Sequence, residues 1–252
     1  ARVPRPPLRV WWFMEVLDIR KTPPPFRYRL PAGWDGGIGL SPHSPYTASA
    51  GLIRRANRTA YPISIHLAES REEARMFDRA EGPLYDFLKA LGRDMSDCGW
   101  DPVVTSLARR GLLRDDAILV HVNEVQDAEL ERLRGRRVVH CPKSHAYFGH
   151  TPFRWEDLER AGARIAVGTD SLASNDGRSL LSELRALRKA KPGIAPQRLL
   201  AAITSVPGEF LGGPHPAGRI APGSPADLVA IPHAGTARDA AESAIAWWRA
   251  LP

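Results

Sequence analysis

The sequence predicts an α/β protein built from βα units, with its strands in a parallel sheet. Three observations carry this. Six short apolar runs rich in β-branched residues alternate with longer segments whose apolar residues recur every three or four positions. Four of those runs end in an ionisable group or lead straight into one: His66, His121, His140 and, in Gly168-Thr169-Asp170-Ser171, Asp170. The 252 residues suffice for one or two ordinary domains, and a single α/β barrel of about 250 residues would use the whole chain.

In chain order, the strand candidates are Arg9 to Val16, Gly37 to Leu40, Ile63 to His66, Ala117 to His121, Arg137 to His140 and Arg164 to Gly168. The helix candidates between them are Ser49 to Thr59, Arg71 to Leu91, Pro102 to Arg110, Asp127 to Arg134 and Trp155 to Ala161. Leu180 to Ala190 and Pro196 to Leu211 follow, the second opening with a proline suited to a first helical turn. Beyond Leu211 the composition shifts to Gly212-Gly213-Pro214, and Gly218 to Ile231 reads as a turn flanked by short strand-like runs. The predicted division is therefore residues 1–211 for the barrel and 212–252 for a separate C-terminal segment. No repeat of solenoid period is present.

Composition excludes several classes. The longest apolar stretch, Val10 to Leu17, is interrupted by Glu15 and falls far short of the roughly 20 residues a membrane helix needs. It is also a poor secretory signal, so a cytoplasmic protein with no membrane partner is expected. Two cysteines without Cys-x-x-Cys spacing, Cys98 and Cys141, read as buried thiols of a reducing compartment. The net charge of +7 is spread over helix-like segments such as Arg132 to Arg137, without aromatic stacking motifs. A solvated basic face is expected rather than a nucleic-acid partner.

In a βα barrel the carboxyl ends of the strands share one mouth, where His66, His121 and Asp170 would meet although they are far apart in sequence. Imidazole and carboxylate are ligands for a catalytic divalent ion, zinc first and Fe²⁺ or Mn²⁺ nearly as well, which lowers the pKa of bound water to about 7. Glu69, three residues after His66, is placed to shuttle a proton; its plainer role is an acid in the first turn of the helix from Arg71. His145, His150, His215 and His233 fall in loops or outside the pattern and are not expected in the site.

The segments His66-Leu67-Ala68-Glu69-Ser70, His121-Val122-Asn123-Glu124, His140-Cys141-Pro142-Lys143-Ser144-His145 and Gly168-Thr169-Asp170-Ser171 resemble the amidohydrolase superfamily. Gly39 to Thr47 and Gly168 to Asn175 are similar to its metal-dependent aminohydrolases of purines and purine nucleosides. His140 to His150 and Ser171 to Asn175 are most similar to the aminodeoxyfutalosine-deaminating branch of menaquinone synthesis. The resemblance implies a distorted (β/α)8 barrel with a remnant of a small β-sandwich at the C-terminus. It also implies one divalent metal held by His66 and Asp170, and His121 orienting the hydrolytic water. Glu69 would carry protons, Asp170 would take one from the water, and His43 would contact a small-molecule substrate. His140 would have a mainly structural role.

One departure from the family stands out: no His-x-His pair, the source of two further metal ligands, occurs anywhere in the chain. By this resemblance Arg9 to Val16 matches the third barrel strand, so the chain is expected to be N-terminally truncated and to lack the first strands. Hydrolytic deamination of an aminopurine nucleoside is the leading expectation. Hydrolysis of a cyclic amide or aryl chloride, or a catalytically silent chain, are the alternatives. The cysteine-based zinc deaminase signature is absent. The loops from Pro23 to Gly36 and from Lys143 to Arg154 are expected to shape the pocket, and oligomeric state is left open, a homo-oligomer included.

Overall fold

A computed structural model describes residues 9–21, 23–30, 32–211, 217–236 and 239–247. Six strands form, one at each predicted position: β1 Val10–Val16, β2 Gly36–Pro42, β3 Ser64–Leu67, β4 Ile118–His121, β5 Arg137–His140 and β6 Arg164–Val167. All pair in parallel. β1 and β2 form one ladder from Val10 opposite Gly36 to Val16 opposite Pro42. The strands β3 to β6 form a second in sequential order. The bridge between Leu40 and Ile63 joins the two ladders. From β2 onward the helical crossovers carry the chain back to the end of the sheet at which the preceding strand began, which allows the parallel pairing.

The helices are α1 Ala50–Asn57, α2 Arg71–Arg79, α3 Pro83–Ala90, α4 Val103–Arg109, α5 Pro142–Phe148, α6 Trp155–Arg160, α7 Leu180–Ala190, α8 Pro196–Ile203, α9 Ser205–Leu211 and α10 Ala240–Trp247. Several follow directly from local chemistry. Ser49, Ser70 and Ser179 each accept a backbone N–H from the first turn of the helix they open, which satisfies donors that would otherwise be orphaned.

Four expectations need correction. The helix expected over Arg71 to Leu91 is two helices, because Ala80 takes a left-handed φ of 53° and Pro83 opens a new helix after Gly82. Pro196 to Leu211 likewise breaks, at Thr204, whose φ of −125° and ψ of −88° leave the helical region. Asp127–Leu133 is a 3₁₀ helix instead of an α-helix. The described residues between 217 and 236 contain no strand, and Ile220, Leu228 and Val229 stay exposed. A strand-like apolar run needs a neighbour to satisfy its backbone, and the described residues supply none there. The division expected at 211/212, and His215, fall among residues 212–216, outside the described residues. Helices α5 and α10 were not anticipated.

One large apolar cluster fills the space between sheet and helices, with Leu67, Phe77, Leu119 and Trp155 almost wholly buried. A smaller cluster sits on the opposite sheet face. There Ile118 and Ala166 meet Phe210 of α9, with Phe13, Val120 and Val139 packed around them. Gly168 lets β6 run close to β5, since a Cβ there would come within 2.9 Å of the Val139 side chain. Cys98 and Cys141 are free and buried, as expected. Among the described residues no helix is long and apolar enough to cross a membrane.

Leu119 lies at the centre of the main cluster with no exposed surface. Leu119→Ala is expected to cost about 2–5 kcal/mol of stability, read as a lower urea midpoint with an unchanged slope.

Candidate active site at the carboxyl ends of the strands

The predicted residues His43, His66, Glu69, His121 and Asp170 come together at the carboxyl ends of β2, β3, β4 and β6. His66 hydrogen-bonds through Nδ1 to the carbonyl oxygen of His43, 2.8 Å away. A carbonyl only accepts, so His66 Nδ1 is the donor. The rings of His66 and His121 stack with centroids 5.3 Å apart, and those of His43 and His66 lie 5.0 Å apart. His43 Nδ1 is held in turn by the hydroxyl of Thr47 at 2.7 Å.

Strand pairing alone would not bring His66 and His121 together. In the register observed, His66 lies opposite Val120, and His121 lies opposite Leu67. Period-two alternation therefore assigns the two histidines to opposite faces of the sheet. His121 departs from the pleat, with a φ of 76°, followed by Val122 at 54°. Ala68 and Asp170 also have left-handed backbones, at 50° and 58°. Four of the five such non-glycine residues among those described thus follow or end β3, β4 and β6. Each costs roughly 1–3 kcal/mol and persists only where its surroundings over-determine it.

The electrostatics divide the site's ionisable groups by role. Burial first, and then the neighbouring His66, push His121 down to about 3, so its imidazole is neutral at pH 7. Its Nε2 stands 3.4 Å from Glu69 Oε1. Burial raises Glu69 above the usual carboxylate range, and the charge of Asp170 adds to this against the pull of His66. Burial pushes Asp170 upward as well, but its hydrogen bonds outweigh that and hold it low. Its Oδ2 accepts the hydroxyls of Ser144 at 2.5 Å and Ser174 at 3.0 Å, and its Oδ1 accepts the Ser171 N–H at 2.7 Å. One carboxyl is thus inclined to keep a proton and the other to lose it.

Several site-building residues carried no legible signal. Ser144 and Ser174 reach Asp170 from different segments. Glu183 on α7, wholly buried, accepts the Lys143 N–H at 2.8 Å and the side-chain amide of Asn175. That amide also donates to the Thr169 carbonyl at 2.7 Å, so Glu183 ties the loop of Ser144 to the loop of Asp170. Ser70-Arg71-Glu72-Glu73 has the spacing of a capping box and was the one detectable hint of Glu73. His140 stacks on Phe153 with ring centroids 3.7 Å apart, and its Nδ1 is buried without a partner among the described residues. A cleft of about 540 Å³ opens beside Glu69, lined on its outer side by Leu84, Phe87, Phe148 and His150.

A divalent ion is implied by the resemblance, and the donor set meets it only in part. His66 has its Nδ1 fixed by a backbone carbonyl, the contact that orients a ligating histidine. Asp170 supplies a carboxylate. Catalytic zinc takes three protein ligands, however, and among the described residues no group of three His, Cys, Asp or Glu is placed to hold a metal ion.

Parallel βα units thus bring a cluster of histidines and acids to the strand ends. The chain belongs to the amidohydrolase family, with the match running over residues 23–245. It is 32% identical over 196 residues to the aminodeoxyfutalosine deaminase of Deinococcus radiodurans, covering 71% of this chain and 46% of that protein. It is 31% identical over 152 residues to a 5-methylthioadenosine/S-adenosylhomocysteine deaminase of Thermococcus sibiricus, covering 58% of this chain and 32% of the relative. The chain therefore spans less than half the length of these relatives. The crystal structure of Helicobacter pylori aminofutalosine deaminase with methylthio-coformycin superposes with a TM-score of 0.79 at 20% identity. It covers 96% of this chain and 64% of that one. An adenosine deaminase from Xanthomonas campestris with bound zinc gives a TM-score of 0.62 at 27% identity, over 78% and 44%. The fold is the barrel of the amidohydrolases.

The depressed His121 makes a signed prediction. A histidine held neutral in the folded state binds fewer protons than in the unfolded chain. Stability at this group is therefore full above its unfolded value of about 6.5 and is lost as pH falls towards 3. Glu73, pushed up to about 8 by burial, has the opposite sign and loses stability as pH rises. The difference between wild type and His121→Asn isolates the first: the variant's stability should fall more gently, by up to about 1.4 kcal/mol per pH unit between pH 6 and 4 in urea titrations.

Proposed function

We propose that this chain carries the proton-handling part of an aminohydrolase site and acts on an aminopurine nucleoside-like small molecule of the aminodeoxyfutalosine type. The observation that carries the reading is the approach of Glu69 to a neutral His121, 3.4 Å apart, beside the low-lying Asp170. The activities named for the Deinococcus and Thermococcus relatives support the same class of substrate. In the reaction, the oxygen of water bonds to the ring carbon that bears the amino group. The carbon–nitrogen bond then breaks and the nitrogen departs as ammonia.

Each residue has a defined task in this reading. Glu69, raised by burial, delivers a proton to the ring nitrogen. It takes the remaining proton of the newly bonded hydroxyl as the carbonyl forms and passes it to the amino group, which leaves as ammonia. The proton taken up by Asp170 then restores Glu69. Neutral His121 orients the water through Nε2. Asp170 takes the proton that the water gives up, since its three hydrogen bonds keep it ionised beforehand. His43, fixed by Thr47, faces the substrate. Zinc, or iron or manganese in its place, enters through the family, and His66 and Asp170 are the ligands this chain would contribute. The shortage of a third donor among the described residues favours a second reading, a chain that binds the nucleoside without turning it over.

Two experiments separate these readings. Purified chain, dialysed and analysed by plasma mass spectrometry, is expected to hold well below one equivalent of zinc or iron; a near-stoichiometric content would contradict this. Ammonia release should be measured from aminodeoxyfutalosine, with adenosine, S-adenosylhomocysteine and guanine for comparison. Release from none of them removes the deaminase reading. Where turnover is found, Glu69→Gln is expected to lower kcat by about 10²–10⁴-fold while leaving metal content as in wild type.

A further inference from the structure

Glu69 emerges from a loop of three residues after β3, where an acid whose position matters would ordinarily be loose. Its main chain is instead gripped on both sides by buried side chains. Glu73, with no exposed surface, accepts the Glu69 N–H through Oε2 at 2.7 Å. Asn123, 2% exposed, donates through Nδ2 to the Glu69 carbonyl oxygen at 3.0 Å. The backbone N–H groups of Asn123 and Glu124 donate to the Ala68 carbonyl at 2.8 and 2.9 Å, which fastens this loop to the segment that leaves β4 immediately after His121. The Val122 N–H continues the same seam onto the Leu67 carbonyl.

The grip is costly by itself. Oε1 of Glu73 and Oδ1 of Asn123 are both buried without a hydrogen-bond partner among the described residues, and an unpaired buried polar atom destabilises a fold. Packing alone would favour apolar groups of the same shape. What these two side chains supply, and an apolar group does not, is an acceptor and a donor aimed at one peptide unit on each side of Glu69. That fixes where the Glu69 carboxyl emerges relative to His121 Nε2.

We infer that Glu73 and Asn123 are positioning residues that hold the Glu69 main chain between them and so set the approach of its carboxyl to His121. This rests on the role proposed above for Glu69. It is tested on the whole chain by steady-state deamination and by hydrogen–deuterium exchange, with three variants. Glu73→Leu removes the acceptor, Asn123→Ala removes the opposing donor, and Glu73→Gln keeps a carbonyl oxygen to accept the Glu69 N–H. Displacing a reacting group by about 1 Å can cost 100-fold in rate. Glu73→Leu and Asn123→Ala are therefore each expected to lower kcat by about 100-fold with little change in KM, while Glu73→Gln retains most of it. Exchange should quicken only in peptides spanning 67–70 and 122–124 of the two impaired variants.

Unchanged kcat in Glu73→Leu and Asn123→Ala overturns the inference, as does a loss in Glu73→Gln equal to that in Glu73→Leu. Exchange that quickens throughout the barrel would mark a general structural role and overturns it too. If wild type releases no ammonia, the deaminase reading fails separately. The exchange pattern then decides the grip: local quickening in Glu73→Leu, absent in Glu73→Gln, upholds it, and no quickening refutes it.

Discussion

The site depends on a break in the pleat at the end of β4. Parallel pairing sets His121 across from Leu67 and His66 across from Val120, an arrangement that would direct the two imidazoles to opposite faces. Left-handed backbone at His121 and Val122 cancels one step of the alternation, and the rings then stack. A β-branched residue with positive φ is an unfavourable choice for such a turn. It is tolerated because the amides that follow, at Val122, Asn123 and Glu124, are all satisfied by carbonyls of β3 and its loop. Strain at one strand end is offset by hydrogen bonds to the next.

The same device recurs around the rim. Ala68 and Asp170 are also left-handed, and each lies in a loop fastened by a buried glutamate on the following helix, Glu73 on α2 and Glu183 on α7. These carboxyl groups accept backbone or side-chain N–H groups from the loops, and Glu69 and Asp170 are the acids those loops carry. Their surroundings then separate the two chemically. Among the described residues none hydrogen-bonds to the Glu69 carboxyl, which is raised by burial, whereas Asp170 receives three hydrogen bonds and is held low. A site that must both deliver and accept a proton near neutral pH needs such a difference between otherwise similar groups.

Much of the architecture was legible before any coordinates. Six short apolar runs became six strands, and those at Ile118–His121 and Arg164–Val167, buried along most of their length, show the continuous apolar character that a sheet covered on both faces needs. Ends of elements were harder. The interruption at Ala80 and Gly82 lay inside an otherwise helical pattern, and the apolar residues of 218–231 read as strands although no neighbouring strand is described to pair with them. The helix from Pro142 was hidden because its seven residues, Pro-Lys-Ser-His-Ala-Tyr-Phe, present no periodic apolar face.

By itself the sequence determined which side chains end the strands, and therefore that His66, Glu69, His121 and Asp170 would gather at one edge. Chain direction, strand order and residue identity fix that much, because parallel strands share an end. Tertiary structure alone decided how those side chains face one another and in which protonation state. Face and pKa depend on a dihedral at His121, on hydroxyls arriving from Ser144 and Ser174, and on the burial of Glu73 and Asn123 beneath the loop. These contacts join residues from different segments, and no local pattern in a single segment encodes them.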